Sequence, residues 1–157
     1  MGTHPSSWTL VAGALTLTLA GTIASAADGP KRPDQPFTIQ ITAKGTSDGA
    51  VDSTNDVRKV IAEKKAAWFR IVETREEADL VLEINGRSLT NDKAYVVGGT
   101  LNAANLSDAE IIGQCIPSVL DMHKPWKCAA ENMAKRLEKF CRETYGDLSK
   151  ARKEASR

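Results

Sequence analysis

The stretch "FTIQITA" alternates apolar and polar side chains: Phe37, Ile39 and Ile41 fall on one side, Thr38, Gln40 and Thr42 on the other. A period of two built on β-branched residues predicts a half-buried strand. "KGTSDGAVD" follows and is turn chemistry. The period then changes. Val57, Val60 and Ile61 stand at i, i+3 and i+4, the apolar stripe of a helix. Ser53 and Asp56 form a near capping box, so the spacing predicts a helix over 53–65. Lys64 and Lys65 occupy its last turn, where the helix dipole favours cations.

"AWFRIV" predicts a second strand, with Phe69 and Ile71 on one side. Strand, helix and strand at this spacing imply a crossover between two parallel strands. The acidic break from Glu73 to Asp79 is too polar to join either neighbour and reads as a turn. "LVLEINGRSL" resumes the alternation, with Leu80, Leu82 and Ile84 on one face. Asn91 to Lys93 reads as a hairpin turn. "AYVVGGTLNAA" is a further strand interrupted by Gly98 and Gly99. Paired glycines mark sheet curvature, the plainer reading, or a groove for a ligand or partner, which makes Gly98 and Gly99 the candidate contact surface. "AEIIGQCI" is the last strand. From Trp126 onward Ala129, Ala130, Met133, Leu137 and Phe140 form one helical stripe. "DLSKARKEASR" is polar and reads as a fraying tail.

The order is β-α-β-β-β-β-α. The expected fold class is α+β, a two-layer sandwich with two helices on one face of a five-stranded mixed sheet. The other face would be wet, since Thr38, Gln40, Thr42 and Glu83 lie on it.

The amino-terminal region reads differently. From Trp8 to Ala27 the chain is apolar and uncharged, and Ala24-Ser25-Ala26 offers small residues for a signal peptidase. The sequence thus divides into a signal peptide at 1–26, a flexible Pro- and Gly-containing tether at 27–36, the α/β domain at 37–145 and the polar tail at 146–157. No Lys or Arg precedes the apolar run, and a retained membrane anchor is the rival reading. With cleavage no stable span remains, and the protein is exported, periplasmic or extracellular.

Charge narrows the partners. With 21 Lys+Arg against 20 Asp+Glu the formal net charge is +1, which supplies no field for nucleic acid or an anionic membrane. Aromatic residues make up 5% of the chain, too few for base-stacking platforms.

Three cysteines are present, Cys115, Cys128 and Cys141, and an oxidising compartment calls for a bridge and one leftover thiol. Cys128 and Cys141 would sit about 20 Å apart along one continuous helix. A disulfide needs Cα atoms within roughly 7 Å, so that pairing is excluded. Cys115 pairs with Cys128 or with Cys141. Nearness to the helix start favours Cys128; the place of Cys141 at the edge of the apolar stripe favours the alternative. The first is preferred.

Two further groupings invite metals. Asp121, His123 and Cys128 are zinc ligand types, but a fourth ligand is missing. Asp48, Asp52, Asn55 and Asp56 suggest calcium, but the spacing of a calcium loop is absent. No nucleophile elbow, phosphate loop or zinc-protease motif occurs, and no cofactor is expected.

The run from Val57 to Gly86 resembles a known arrangement. A helix is followed by Phe69-Arg70-Ile71-Val72, acidic residues, and Ala78-Asp79-Leu80-Val81-Leu82. This resembles small α/β modules of bacterial envelope proteins, such as the amino-terminal domain of TolB and the periplasmic domain of the curli secretion lipoprotein CsgG. It is also similar to many secreted bacterial proteins of this size. The resemblance implies a non-catalytic module that binds other envelope proteins. The chain lacks the lipid-anchored cysteine and any propeller or pore-forming region, so neither relative's full activity carries over. Two alternatives stand beside it: a small hydrolase or ligand-binding enzyme using the His123 loop, and a disulfide-held structural protein without a specific ligand.

Overall fold

In the computed structural model of the chain, residues 32–118 and 124–156 are described. The leader predicted at 1–26 lies outside the described residues, as do Asp121 and His123.

The first strand, β1 (Phe37–Ala43), keeps the alternation of its sequence: Phe37, Ile39 and Ile41 are buried, and Thr38, Gln40 and Thr42 are half-buried on the other side. Helix α1 (Asp48–Lys64) starts earlier than Ser53. Its N-cap is Ser47, whose Oγ accepts from the Ala50 N–H at 3.3 Å, and Asp48 supplies the acidic first turn. Ser53 is therefore inside the helix and buried, and Thr54 bonds back to the Ala50 carbonyl at 2.8 Å. The apparent capping pair at Ser53 and Asp56 plays no capping part. Val57, Val60 and Ile61 are buried as their spacing requires.

The chain continues through β2 (Phe69–Ile71), β3 (Leu80–Leu89), β4 (Tyr95–Ala103) and β5 (Ala109–Cys115). The sheet order is β2-β1-β3-β4-β5. β1 pairs in parallel with β2 and β3, and the β3–β4 and β4–β5 pairs are antiparallel. The glycine pair of β4 does not break that strand. The irregularity lies opposite it, in β3: Ile84 faces Gly99 and Gly86 faces Gly98, leaving Asn85 as the extra residue of a bulge. Gly86 takes a φ of 141°, a backbone state that side chains disfavour.

Helix α2 (Pro125–Glu143) has proline in its first turn and buries Ala129, Ala130, Met133, Ala134, Leu137 and Cys141. It lies over β4 and β5, beside α1, which lies over β1 and β3. Val57 and Met133 share one core with Ile39, Leu82 and Leu101. Both helices cover one face of a five-stranded mixed sheet, and the fold is an α+β two-layer sandwich. The helix–helix seam is laced by Lys64–Glu131 at 2.6 Å and Lys65–Glu138 at 2.5 Å.

The segment read as a polar tail is a third helix, α3 (Tyr145–Ala155). This corrects the boundary at 145. Leu148 and Ala151 are buried, and Tyr145 meets the Phe37 ring edge-on at 5.9 Å. Three apolar residues, Tyr145, Leu148 and Ala151, among the eleven of this helix suffice because Arg152 ties the helix down.

Candidate interaction surface

The sandwich has two ends. At one, α3 closes over the start of β1 and β3. Asp79, just ahead of β3, accepts from the Thr38 N–H at 2.7 Å and from the Thr38 hydroxyl at 2.9 Å. Arg152 grips the same carboxylate with Nε at 3.2 Å and Nη2 at 2.7 Å. Its guanidinium also donates to the carbonyls of Gln35 and Pro36 and lies 4.3 Å from the Phe37 ring centroid. Burial alone would push the Asp79 carboxyl up. The Arg152 guanidinium and the Thr38 donors outweigh burial and hold it below the ordinary carboxylate value. Every oxygen of this group is committed to holding strands and helix together, so Asp79 is a structural fastener. The sequence marks it within "ADLVL" but gives it no role.

At the other end stand the large exposed apolar side chains of the described residues: Val51 at 42%, Leu89 at 57% and Ile116 at 67% exposure. Leu89 is paired with Tyr95, and Tyr95 with Cys115, the neighbour of Ile116. Trp126 packs edge-on against Tyr95 at 4.7 Å and under the Arg87 guanidinium at 4.9 Å, and Arg87 pairs with Asp52 at 2.8 Å. Here Cys115 is joined to Cys128, with Cα atoms 5.7 Å apart, and Cys141 is free and buried. The bridge follows the preferred pairing and pins the start of α2 to the end of β5. It also takes Cys128 out of any zinc site. Among the described residues no group of three His, Cys, Asp or Glu side chains is placed to hold a metal ion.

The glycine pair divides. Gly99 faces the helices, where an added Cβ would stand 2.8 Å from Met133 Cε and 2.9 Å from the Glu83 carbonyl. It is a packing position and takes no part in a contact surface. Gly98 faces the uncovered side of the sheet with nothing within 4 Å. That side carries Thr38, Gln40, Thr42, Glu83, Asn85 and Thr100, with Asn85 donating to Thr100 Oγ1 at 3.3 Å. Toward β5 it becomes apolar: Val96 and Ile112 flank Gly98.

The two edges of the sheet are unlike. β2 is three residues long, and the chain beyond it is tied back, Val72 N–H donating to the Ile39 carbonyl and the Gln40 amide to the Glu73 carbonyl. Short, tied edges resist pairing. β5 is seven residues long. Asn132 Nδ2 donates to the Gln114 carbonyl at 2.8 Å, so that carbonyl points away from β4. Strand alternation turns the peptide groups of Ile112 and Glu110 the same way. Among the described residues no hydrogen bond reaches them from outside the sheet. Beside this edge runs a groove of about 450 Å³, lined by Glu110, Ile111 and Ile112 of β5 and by Arg136, Lys139, Phe140 and Glu143 of α2, two acidic residues against two basic ones. The sequence predicts β5 and α2 but not their alignment, so the groove was not visible in it.

No protein-family model and no curated protein matches the chain. Solved structures similar to it include two of PelC from Paraburkholderia phytofirmans, both dodecamers. One is 17% identical with a TM-score of 0.43, the other 16% identical with a TM-score of 0.42, and each match covers 71% of this chain and 91% of that one. Likeness at this level carries no argument about what the chain does.

Proposed function

We propose that this protein is an exported, non-catalytic module that binds other envelope proteins by receiving an extended segment along the free edge of β5. The observation that carries the reading is the contrast between the edges: β2 is short and tied back, whereas β5 offers outward peptide groups at Ile112 and Glu110 beside an open groove. Strand addition uses such edges, with backbone hydrogen bonds for affinity and side-chain pockets for choice of partner. Export is supported by the apolar leader pattern and by the Cys115–Cys128 bridge, since disulfides persist in oxidising compartments. Among the described residues no helix is long and apolar enough to cross a membrane. The resemblance of residues 57–86 to the TolB and CsgG modules points the same way.

The test places a photo-crosslinking amino acid at Gln114, on β5, and separately at Arg70, on β2, in cells that export the protein. A protein adduct at Gln114 and none at Arg70 is the expected result. Adducts at neither position, together with turnover of a small substrate that His123→Ala abolishes, would replace this reading with the hydrolase one.

A further inference from the structure

Asn132 closes one end of the β5 edge. It stands one turn after Cys128 on α2, and Cys128 is bridged to Cys115, the residue next to Gln114. The close seat of α2 on β5, where a Cβ at Gly113 would meet the Ala129 carbonyl, sets the height of this turn along the strand. The amide of Asn132 is held from several sides. Nδ2 donates to the Gln114 carbonyl at 2.8 Å and lies 3.9 Å from Cys128 Sγ, while Oδ1 accepts from Lys135 Nζ at 3.3 Å. A lysine can only donate and a backbone carbonyl only accept, so these two neighbours fix which end of the amide faces the strand.

A side chain of α2 thus fills the last outward acceptor of β5, while the outward groups of Ile112 and Glu110 stay open. Two copies of β5 laid antiparallel about a two-fold axis at Ile112 would set Glu110 of each opposite Gln114 of the other. In that register the Glu110 N–H needs the very carbonyl that Asn132 holds. Resting on the strand-addition reading above, we propose that Asn132 is a brake on the β5 edge: by holding the Gln114 carbonyl it shortens the run that a received segment can bond to, and it keeps a second copy of the chain from pairing there. An edge that stays free for a partner needs such protection from its own copies.

Sedimentation of the disulfide-bonded chain tests this, with circular dichroism to check that each variant is folded. The native chain is expected to stay monomeric, and Asn132→Ala to associate with itself at least about tenfold more tightly, as one hydrogen bond is regained on each copy. Asn132→Asp keeps the bulk and loses the donor, and is expected to associate as Asn132→Ala does; should the alanine variant misfold, the aspartate variant decides. Adding Ile112→Pro removes an outward N–H and is expected to abolish the association. Should the proline misfold the chain, a photo-crosslinking amino acid at Glu110 locates the contact instead. Association of Asn132→Ala but not of Asn132→Asp would make bulk the cause and overturn the brake. Association that survives Ile112→Pro, or that the native chain already shows through β5, would overturn it as well. Variants as monomeric as the native chain would overturn the brake while leaving strand addition to be judged by the Gln114 adduct.

Discussion

Gly113 lies directly under the Ala129 carbonyl: a Cβ built on it would stand 2.0 Å from that oxygen and 2.5 Å from the Met133 nitrogen. These are backbone atoms of α2 and cannot swing aside. The helix sits on β5 as closely as glycine permits, and the same closeness brings Cys128 over Cys115.

Gly113→Ala must therefore lift α2 from the sheet. The expected loss is about 3 kcal/mol, at the upper end for overpacking. Gly98→Ala, on the uncovered face with nothing within 4 Å, is expected to stay within about 0.5 kcal/mol of the native chain. Urea unfolding of the two variants checks both, and equal losses would refute the packing argument.

Asp79 predicts an acid limb to stability. Its folded value is held below its unfolded one, so its contribution is complete above the unfolded value of about 4 and disappears as pH falls through the folded value. Asp79→Asn is expected to lose about 2 kcal/mol at neutral pH, since it removes charged hydrogen bonds to Arg152 and Thr38. Below the folded value, variant and native chain should converge. Thermal midpoints measured from pH 7 down to pH 2 would show this; parallel curves would contradict it.

Cys141 should be chemically silent. Burial, with Glu138 adding to it, pushes its thiol up to about 12. The folded protein is expected to take up no iodoacetamide, and the unfolded, unreduced protein to take up one equivalent. Reduction of Cys115–Cys128 should lower stability by about 3 kcal/mol, the entropy of a loop that short. Labelling of the folded chain read by mass spectrometry checks the first statement, and urea unfolding with and without reductant checks the second.

Periodicity made the core legible. Val57, Val60 and Ile61 on one helix, Ala129, Met133 and Leu137 on the other, and Ile39, Leu82 and Leu101 on the strands are buried as their spacing demands. Local signals misled where two of them competed. Gly45 and Gly49 made the true start of α1 look like a turn, and Ser53 mimicked a cap inside the helix. α3 escaped because its three apolar residues gain meaning only once Arg152 has reached Asp79, far away in sequence. The glycine pair was conspicuous, but which of the two faces the helices depends on the pleat of neighbouring strands. Asn132 looked like any solvated helix position, because its setting arises from the way α2 lies along β5.

Asn85 reverses parity along β3. Before it the even-numbered residues look toward the helices, as Leu80, Leu82 and Ile84 do; after it the odd-numbered ones do, and Arg87 thereby reaches Asp52 and Trp126. Deleting that single residue would leave Ile84 followed by Gly86 in a regular ladder with Arg87 still turned to the helices; straightening the bulge with Asn85 kept would instead send the guanidinium to the bare side of the sheet and strand the indole it now covers.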